Sequence, residues 1–246
     1  MRAFILSLMI LSVASPAVAQ ENKLTFRLGF GPEYAPAYPG SDEMALGLGT
    51  EFTLERLQFG GIAIGGEQKQ GFGATGSFRL VEGRSDENSD DLSGLREIDP
   101  SVELGGGLTY DTAQFTGFAA VRYGVIGHES FVAEIGGDVI FYPSADLKIA
   151  FGPRTLWGDA DYVGTYFGVS STEADATDFE AYDPDAGLVS TGLSVEATYS
   201  ISDEWEVVGS LRYDLLQGDA ADSPLSQDDT QITTSVAITR LFSFDF

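Results

Sequence analysis

The single histidine of the chain stands in a short run that could support acid–base chemistry. His128 is followed directly by Glu129 and Ser130. A serine nucleophile needs a histidine and a carboxylate that converge in space, whereas adjacent residues of a strand point to opposite faces. We therefore expect His128 to be an exposed turn residue, and we predict no catalytic residues in this protein.

One acidic segment has the spacing of a calcium-binding loop. Asp86, Asn88 and Asp90 occupy positions one, three and five of such a loop, and Glu97 occupies position twelve. Position six should be a glycine that allows a sharp turn, but this chain has Asp91 there. The sequence therefore predicts a solvated acidic loop, with no metal-binding and no cofactor-binding residues.

A second polar segment combines acidic residues with a proline. Asp219 and Asp222 precede Ser223 and Pro224. Aspartate and serine side chains hydrogen-bond to nearby backbone, and proline fixes a bend, so the segment is typical of a turn. The alternative is a surface that packs against another loop or against a partner.

Composition excludes several classes of protein. The formal net charge is −25, which is unsuited to binding the phosphates of a nucleic acid. The chain has no cysteine, so it forms no disulfide, thiolate metal site or thiol nucleophile. Thirty glycines and 12% aromatic residues favour β-structure over a helical bundle.

The first residues resemble a secretory signal. Arg2 precedes an apolar run at 3–13, and Ala17-Val18-Ala19 has the small-residue pattern of a signal-peptidase site. We expect residues 1–19 to be a signal peptide and residues 20–246 to form one domain. The apolar run is shorter than the ~20 residues that a spanning helix needs, and no second run of that length follows. A membrane-embedded mature chain would therefore be a β-barrel.

Most of the remaining chain alternates between apolar and polar residues with a period of two. In the stretch 204–216 one face carries Trp205, Val207, Leu211, Tyr213 and Leu215, and the other carries charges of both signs. The chain ends with phenylalanine at every second position, at 242, 244 and 246. One oily face with aromatic ends and one polar, glycine-rich face indicate a closed antiparallel transmembrane β-barrel. A secreted soluble β-sandwich is the alternative.

Charged residues on the predicted inner face could pair across the barrel. We expect ion pairs that fill a small lumen, with a narrow selective path as the alternative. The residues concerned are Arg27, Arg79, Arg122, Arg154 and Arg212, with Glu33, Glu103, Glu134, Asp138 and Glu196.

The number of strands has two solutions. Twelve strands result when 70–82 and 161–169 are both counted. Ten result when 57–82 is one long strand and 161–169 lies in an external loop. We favour twelve, because crossing a membrane takes only ~10 residues of strand.

Several segments resemble the MltA-interacting protein (MipA/OmpV) family, and together they span nearly the whole predicted mature chain. The most specific are DYVGTYFGVS (161–170), AYDPDAGL (181–188) and LLQGDAADSPL (215–225), supported by YPGSDE (38–43), EGRSDENSDDLSGL (82–95) and GPRTLW (152–157).

The resemblance implies a barrel in the Gram-negative outer membrane, in contact with lipid and lipopolysaccharide. It further implies a non-enzymatic scaffold that links a murein hydrolase to a murein synthase. A narrow-pore permeability or transport protein is the alternative. Because partner-binding residues are not part of the family's motifs, the scaffold role transfers less directly than the fold.

Overall fold

A computed structural model describes residues 22–60, 62–66, 70–84 and 92–246. The predicted signal peptide, residues 1–19, lies outside the described residues, as do Asp86, Asn88, Asp90 and Asp91 of the calcium-like segment.

Eleven antiparallel strands and three short helices form the described part of the chain. The strands are β1 (Lys23–Pro36), β2 (Met44–Phe59), β3 (Ile62–Gly65), β4 (Gly71–Val81), β5 (Ser101–Asp111), β6 (Phe115–Ile126), β7 (Phe131–Phe141), β8 (Leu147–Gly158), β9 (Gly187–Ser200), β10 (Trp205–Leu216) and β11 (Thr230–Asp245). The helices are α1 (Ala160–Phe167), α2 (Ser171–Ala176) and α3 (Gly218–Ala221). Among the described residues, none of these helices is long and apolar enough to cross a membrane.

The strands form one sheet that curls into a nearly closed barrel. Their order is β3-β2-β1-β11-β10-β9-β8-β7-β6-β5-β4. Strands β1 and β11 close the chain on itself, with Lys23 opposite Asp245. The remaining junction lies between β4 and the hairpin of β2 and β3, and within the described residues β4 shares no hydrogen-bonded ladder with either strand. This junction is called the seam below.

The prediction of twelve strands is wrong, because 161–169 is mostly helical. Asp159 caps α1 by accepting a hydrogen bond from the backbone N–H of Tyr162 at 2.8 Å. The buried residues Tyr162, Val163, Tyr166 and Phe167 recur with a helical period, and this signal outweighs an apparent alternation.

The ten-strand alternative correctly leaves 161–169 in a connection between strands, but 57–82 is not one continuous strand. Strands β3 and β4 run in the same direction and are separated by residues 66–70. Gly65, Gly66 and Gly71 have φ values of 65°, 106° and 109°. Such left-handed conformations interrupt a strand, and glycine adopts them at little cost.

The predicted alternation is confirmed on both faces of the barrel. The outer face exposes large apolar side chains along most strands, including Leu46, Leu108, Val121, Ile135, Leu193, Leu211, Val236 and Phe244. Charged side chains such as Glu103, Arg122 and Glu134 are buried on the inner face. An apolar exterior around a charged interior is the arrangement that a barrel in lipid requires.

The two ends of the barrel differ in their connections. Turns of three and four residues join β5 to β6 and β9 to β10, at the end where Lys23 and Asp245 meet. The opposite end carries the long segments 82–100, 159–186 and 217–229, which contain all three helices. We call these long segments the cap and the opposite rim the short-turn end.

Close approach of neighbouring strands makes Gly152 sensitive to substitution. A Cβ atom at Gly152 would lie 1.7 Å from the carbonyl oxygen of Gly137, whereas one at Gly209 would meet nothing within 4 Å. We expect Gly152→Ala to destabilise the barrel by about 1–3 kcal/mol through overpacking. Gly209→Ala should be neutral or slightly stabilising. Thermal unfolding in detergent, followed by the shift of the folded band on SDS gels, measures both, and equal effects would contradict a special packing constraint at Gly152.

Candidate functional site

A chain of buried ion pairs crosses the lumen. Glu103 accepts from Arg79 at 2.6 Å and from Arg122 at 2.8 Å. Glu134 lies 2.9 Å from Arg122 and 3.0 Å from Arg212. Each carboxylate is thus held between two guanidinium groups, which offsets much of the cost of removing these charges from water. These four pairings confirm the sequence prediction for the five residues.

A second predicted pair lies further along the lumen. Arg154 donates two hydrogen bonds to the carboxylate of Asp138, each of 2.9 Å. The same guanidinium lies over the ring of Phe118, 5.1 Å from its centroid. A bidentate pair stacked on an aromatic ring fixes the arginine geometrically as well as electrostatically.

Two of the three remaining predicted charges have other partners, whereas Glu33 forms no ion pair within the described residues. Arg27 lies 3.1 Å from Glu55 and 3.4 Å from Glu206, neither of which was predicted to pair with it. Glu196 lies 3.7 Å from Lys148. The register between distant strands decides these partners, and alternation alone does not determine register.

The prediction that His128 is an exposed turn residue is wrong. His128 is 8% exposed, and its Nδ1 atom lies 2.5 Å from the hydroxyl oxygen of Ser130. Its Nε2 atom lies 3.1 Å from Glu103. Three groups of a serine–histidine–carboxylate set therefore do converge. No local signal in the sequence links Glu103 to His128, because it lies 25 positions away on a different strand.

This convergent set is sealed from solvent. Ser130 is 1% exposed, and the side chain of Glu103 is fully buried. The rings of Tyr162 and Tyr166 lie 5.2 Å and 5.8 Å from the His128 ring. A nucleophile must reach its substrate, and Ser130 is covered by protein. The arrangement instead connects helix α1 to the ion pairs of the lumen.

Helix α1 plugs one end of the barrel. Its buried residues pack against Val132, Leu156, Val189 and Leu216, which face it from four different strands. The Tyr162 hydroxyl accepts a hydrogen bond of 3.2 Å from Arg79. Burial raises the pKa of Tyr162, so the hydroxyl stays neutral beside the arginine.

Other cap segments hold α1 in place through its backbone carbonyls. Arg84, which is buried, donates to the carbonyl of Tyr166 at 3.2 Å. The Ser223 hydroxyl donates to the carbonyl of Phe167 at 2.6 Å. Carbonyls at the end of a helix lack helical partners, so these two donors satisfy groups that would otherwise be buried unpaired.

The polar segment 218–225 combines both of its predicted roles. The backbone N–H of Leu225 donates to the Ser223 hydroxyl at 3.1 Å, which is local turn chemistry. The carboxylate of Asp219 accepts from the N–H of Asp185 at 2.7 Å, and its carbonyl accepts from Tyr182 at 3.0 Å. The segment is therefore a turn that also fastens the cap together.

Glu173 fastens helix α2 to the preceding loop. It accepts from the backbone N–H groups of Ser170 and Arg96, at 2.8 Å and 2.9 Å, and from the Ser170 hydroxyl at 2.6 Å. Burial opposes ionisation of Glu173, but these hydrogen bonds to the carboxylate outweigh it and lower the pKa.

Two cavities lie at opposite ends of the lumen. The one beneath the cap has a volume of about 350 Å³ and is lined by Arg79, Tyr162, Arg212 and Leu216 among others. The one at the short-turn end has a volume of about 260 Å³ and is lined by Arg27, Glu51, Lys148 and Glu206 among others. The two share no lining residue. Within the described residues, no group of three or more histidine or acidic side chains could hold a metal ion.

A family model identifies this architecture. The model described as MltA-interacting protein MipA matches residues 28–242. The chain belongs to the MipA family. The match reaches every element from β1 to β11, including the cap segments whose sequences carry the resemblance.

Curated relatives match over a shorter stretch. The MltA-interacting proteins of Escherichia coli (strain K12) and Shigella flexneri are each 28% identical over 101 residues, which is 41% of this chain and 40% of the relative. The aligned region thus spans 40% of the length of the curated relatives.

Solved outer-membrane barrels are similar over most of the chain. An outer membrane channel from Pseudomonas putida F1 covers 93% of this chain and 99% of its own, with 12% identity and a TM-score of 0.46. The NanC porin covers 90% and 99%, with 8% identity and a TM-score of 0.38. Family membership and the apolar outer face point to the outer membrane.

Removing the charge of Glu103 should be costly. The substitution Glu103→Gln leaves the buried Arg122 and the partly exposed Arg79 without their shared carboxylate, and we expect a loss of about 3–5 kcal/mol in unfolding free energy. Glu204→Gln is the matched control, because Glu204 is an exposed residue paired with Arg240 at 3.5 Å. Its loss should lie below about 1 kcal/mol. Urea unfolding in detergent micelles measures both, and similar losses would refute the network's role.

Acidification should loosen the cap at Glu173. Because its folded pKa lies below the ordinary value of 4.5, the stabilisation is present above pH 4.5 and is lost as the pH falls through the folded pKa. Hydrogen-exchange protection of the Arg96 and Ser170 amides should therefore drop on acidification, while amides of β10 serve as the internal control. Glu173→Gln should lower this protection at neutral pH and remove its pH dependence. Unchanged protection in the variant would contradict the assignment.

Proposed function

We propose that this protein is a non-enzymatic outer-membrane barrel that serves as a docking scaffold at the periplasmic face. In this proposal residues 1–19 are removed as a signal peptide and 20–246 form the single barrel domain. The observation that carries the proposal is the content of the lumen, where ion pairs and helix α1 lie and where the two cavities share no lining residue.

The two ends of the barrel have different roles in this proposal. Bacterial outer-membrane barrels have short periplasmic turns and longer extracellular loops. The cap would thus face outward, toward lipopolysaccharide, and the short-turn end would face the periplasm. A murein-remodelling partner would meet the short-turn end.

A catalytic role and a role as a pore both fit the geometry less well than a docking role does. The Glu103–His128–Ser130 set is buried beneath Tyr162 and Tyr166, so no substrate reaches it without displacement of α1. A narrow pore would require the ion pairs to separate, which costs several kcal/mol for each unpaired buried charge.

The short-turn end presents an acidic surface suited to a basic partner. Asp146, Asp203 and Glu204 are exposed in the turns at this rim. The adjoining cavity adds Glu51 and Glu206. The curated relatives are called MltA-interacting proteins, and we propose that this chain likewise docks an MltA-type murein hydrolase, with a murein synthase as a further partner. Electrostatic complementarity would set the orientation and the association rate.

Charge reversal at the short-turn end tests this docking. We expect Asp146→Lys, Asp203→Lys and Glu204→Lys together to weaken binding of the MltA-type hydrolase by about tenfold or more, mostly through slower association. The protein would be held in nanodiscs and binding followed by biolayer interferometry at low and physiological salt.

The cap supplies a control with the same change in charge. Asp175→Lys, Asp178→Lys and Glu180→Lys reverse three acidic residues at the opposite end of the barrel. This variant should bind normally. The docking proposal fails if the wild type does not bind or if both variants bind equally weakly. Steady large conductance of the wild type in planar bilayers would refute the closed lumen.

A further inference from the structure

The seam between β2 and β4 is a break in an otherwise continuous wall. Every other neighbouring pair of long strands is joined by a ladder within the described residues. Edge strands leave backbone N–H and C=O groups without partners, and natural barrels close to avoid this. A wall that served only stability would be joined here as well.

Side chains close the half of the seam nearer the short-turn end. A Cβ atom at Gly76 would lie 2.9 Å from the side chain of Leu54. The rings of Phe52 and Phe78 follow, with centroids 5.4 Å apart. All of these side chains lie on the outer face, because Phe52 stands beside Leu28 of β1. The Leu54–Gly76 and Phe52–Phe78 contacts follow an antiparallel order, which, continued by two residues toward the cap, brings Thr50 next to Leu80.

Nearer the cap, a gap remains between Leu80 and the point where the Glu82 side chain lies against Gly47, at which a Cβ atom would be 2.0 Å from the Glu82 Oε1 atom. The cavity of about 350 Å³ beneath the cap is lined by inward residues such as Arg79 and also by outward residues such as Leu48 and Leu80. A groove of about 690 Å³ outside the barrel is lined by Leu46, Leu48, Leu80 and Val102. Leu48 and Leu80 line both, so the inner cavity and the outer groove lie on either side of these two side chains.

Apolar side chains lie on both sides of the opening. On the outside, Leu46 and Leu48 are 76% and 64% exposed and continue the apolar outer face of the barrel. On the inside, Leu156, Phe167 and Val189 line one part of the cavity, and Arg79 and Arg212 line another part. A path lined by leucine, phenylalanine and valine is suited to a hydrocarbon chain.

The width of the seam argues against a peptide strand as the occupant. An added strand would sit about 4.8 Å from each neighbour and would need β2 and β4 to stand about 9.6 Å apart. The contacts between Leu54 and Gly76, and between Phe52 and Phe78, hold the two strands too close for this. A single hydrocarbon chain is narrower than a strand and can enter on the cap side of these contacts without separating β2 from β4.

We propose that this gap is a lateral opening through which the acyl chain of a membrane lipid enters the cavity beneath the cap. The inference goes beyond docking and rests on the membrane location given under the proposed function. The chain would pass between Thr50 and Leu80 and lie against the apolar underside of the cap. The carboxylates of Glu33 and Glu82 line the same cavity and would keep the part of the cavity around them hydrated.

Photocrosslinking in nanodiscs tests the opening directly. The probe is a phospholipid with a diazirine at the end of one acyl chain, and adducts are mapped by mass spectrometry. We expect adducts on Leu156, Val189 and Leu216, which bulk lipid cannot touch, and on Leu211 and Val236 of the outer face. The chain has no cysteine, so Thr50→Cys with Leu80→Cys gives one defined disulfide. Oxidation should abolish the cavity adducts, and reduction should restore them.

Two further variants serve as controls for nonspecific effects of introducing a disulfide. Val207→Cys with Ile238→Cys locks β10 to β11, where these residues face each other across an intact ladder, and should leave the cavity adducts unchanged. Thr50→Trp fills the opening without a crosslink and should abolish them. Cavity adducts that persist in the locked seam, or adducts on the outer face alone in the wild type, would overturn the opening. A wild type without adducts on Leu211 and Val236 would overturn the membrane location as well.

Discussion

The structure depends on neutralising charge inside a nearly closed wall. Three arginines and three carboxylates in the lumen balance one another, from Arg79 through Glu103, Arg122, Glu134 and Arg212 to Asp214. Each inward charge is costly alone and acceptable as part of the chain. The outer wall can be almost wholly apolar because the charges are accommodated inside.

The cap is a continuation of this inner charge chain. Arg79 reaches the Tyr162 hydroxyl, and Glu103 reaches His128, on which the tyrosines of α1 pack. The most specific family segments build α1 and the loops that hold it. The family match over residues 28–242 therefore includes the segments that close one end of this barrel.

Local periodicity was enough to predict the barrel, its apolar exterior and most of its inner ion pairs. It was not enough for features that depend on contacts between distant residues. The segment of helix α1 was predicted as a strand because Tyr162 and Tyr166, four residues apart, fit a period of two as well as a helical one. His128 looked exposed because its partner Glu103 is brought to it only by the pairing of β5 with β6. The sequence also left open whether the segment around Asp219 is only a turn or packs against another loop. Its contacts with Tyr182 and Asp185 join residues that are distant in the sequence.

The junction between β1 and β11 sets the order in which the barrel can be assembled. Lys23 and Asp245 stand at opposite extremes of the strand sequence, yet they pair in an unbroken ladder, while the gap falls between strands that are close along the chain. Pairing of such remote segments is slow, because the entropy of closing a long loop is lost before any stabilising contact forms. The apolar hairpins would therefore remain outside a closed barrel until β11 pairs with β1. During that interval they would depend on chaperones to keep them from aggregating.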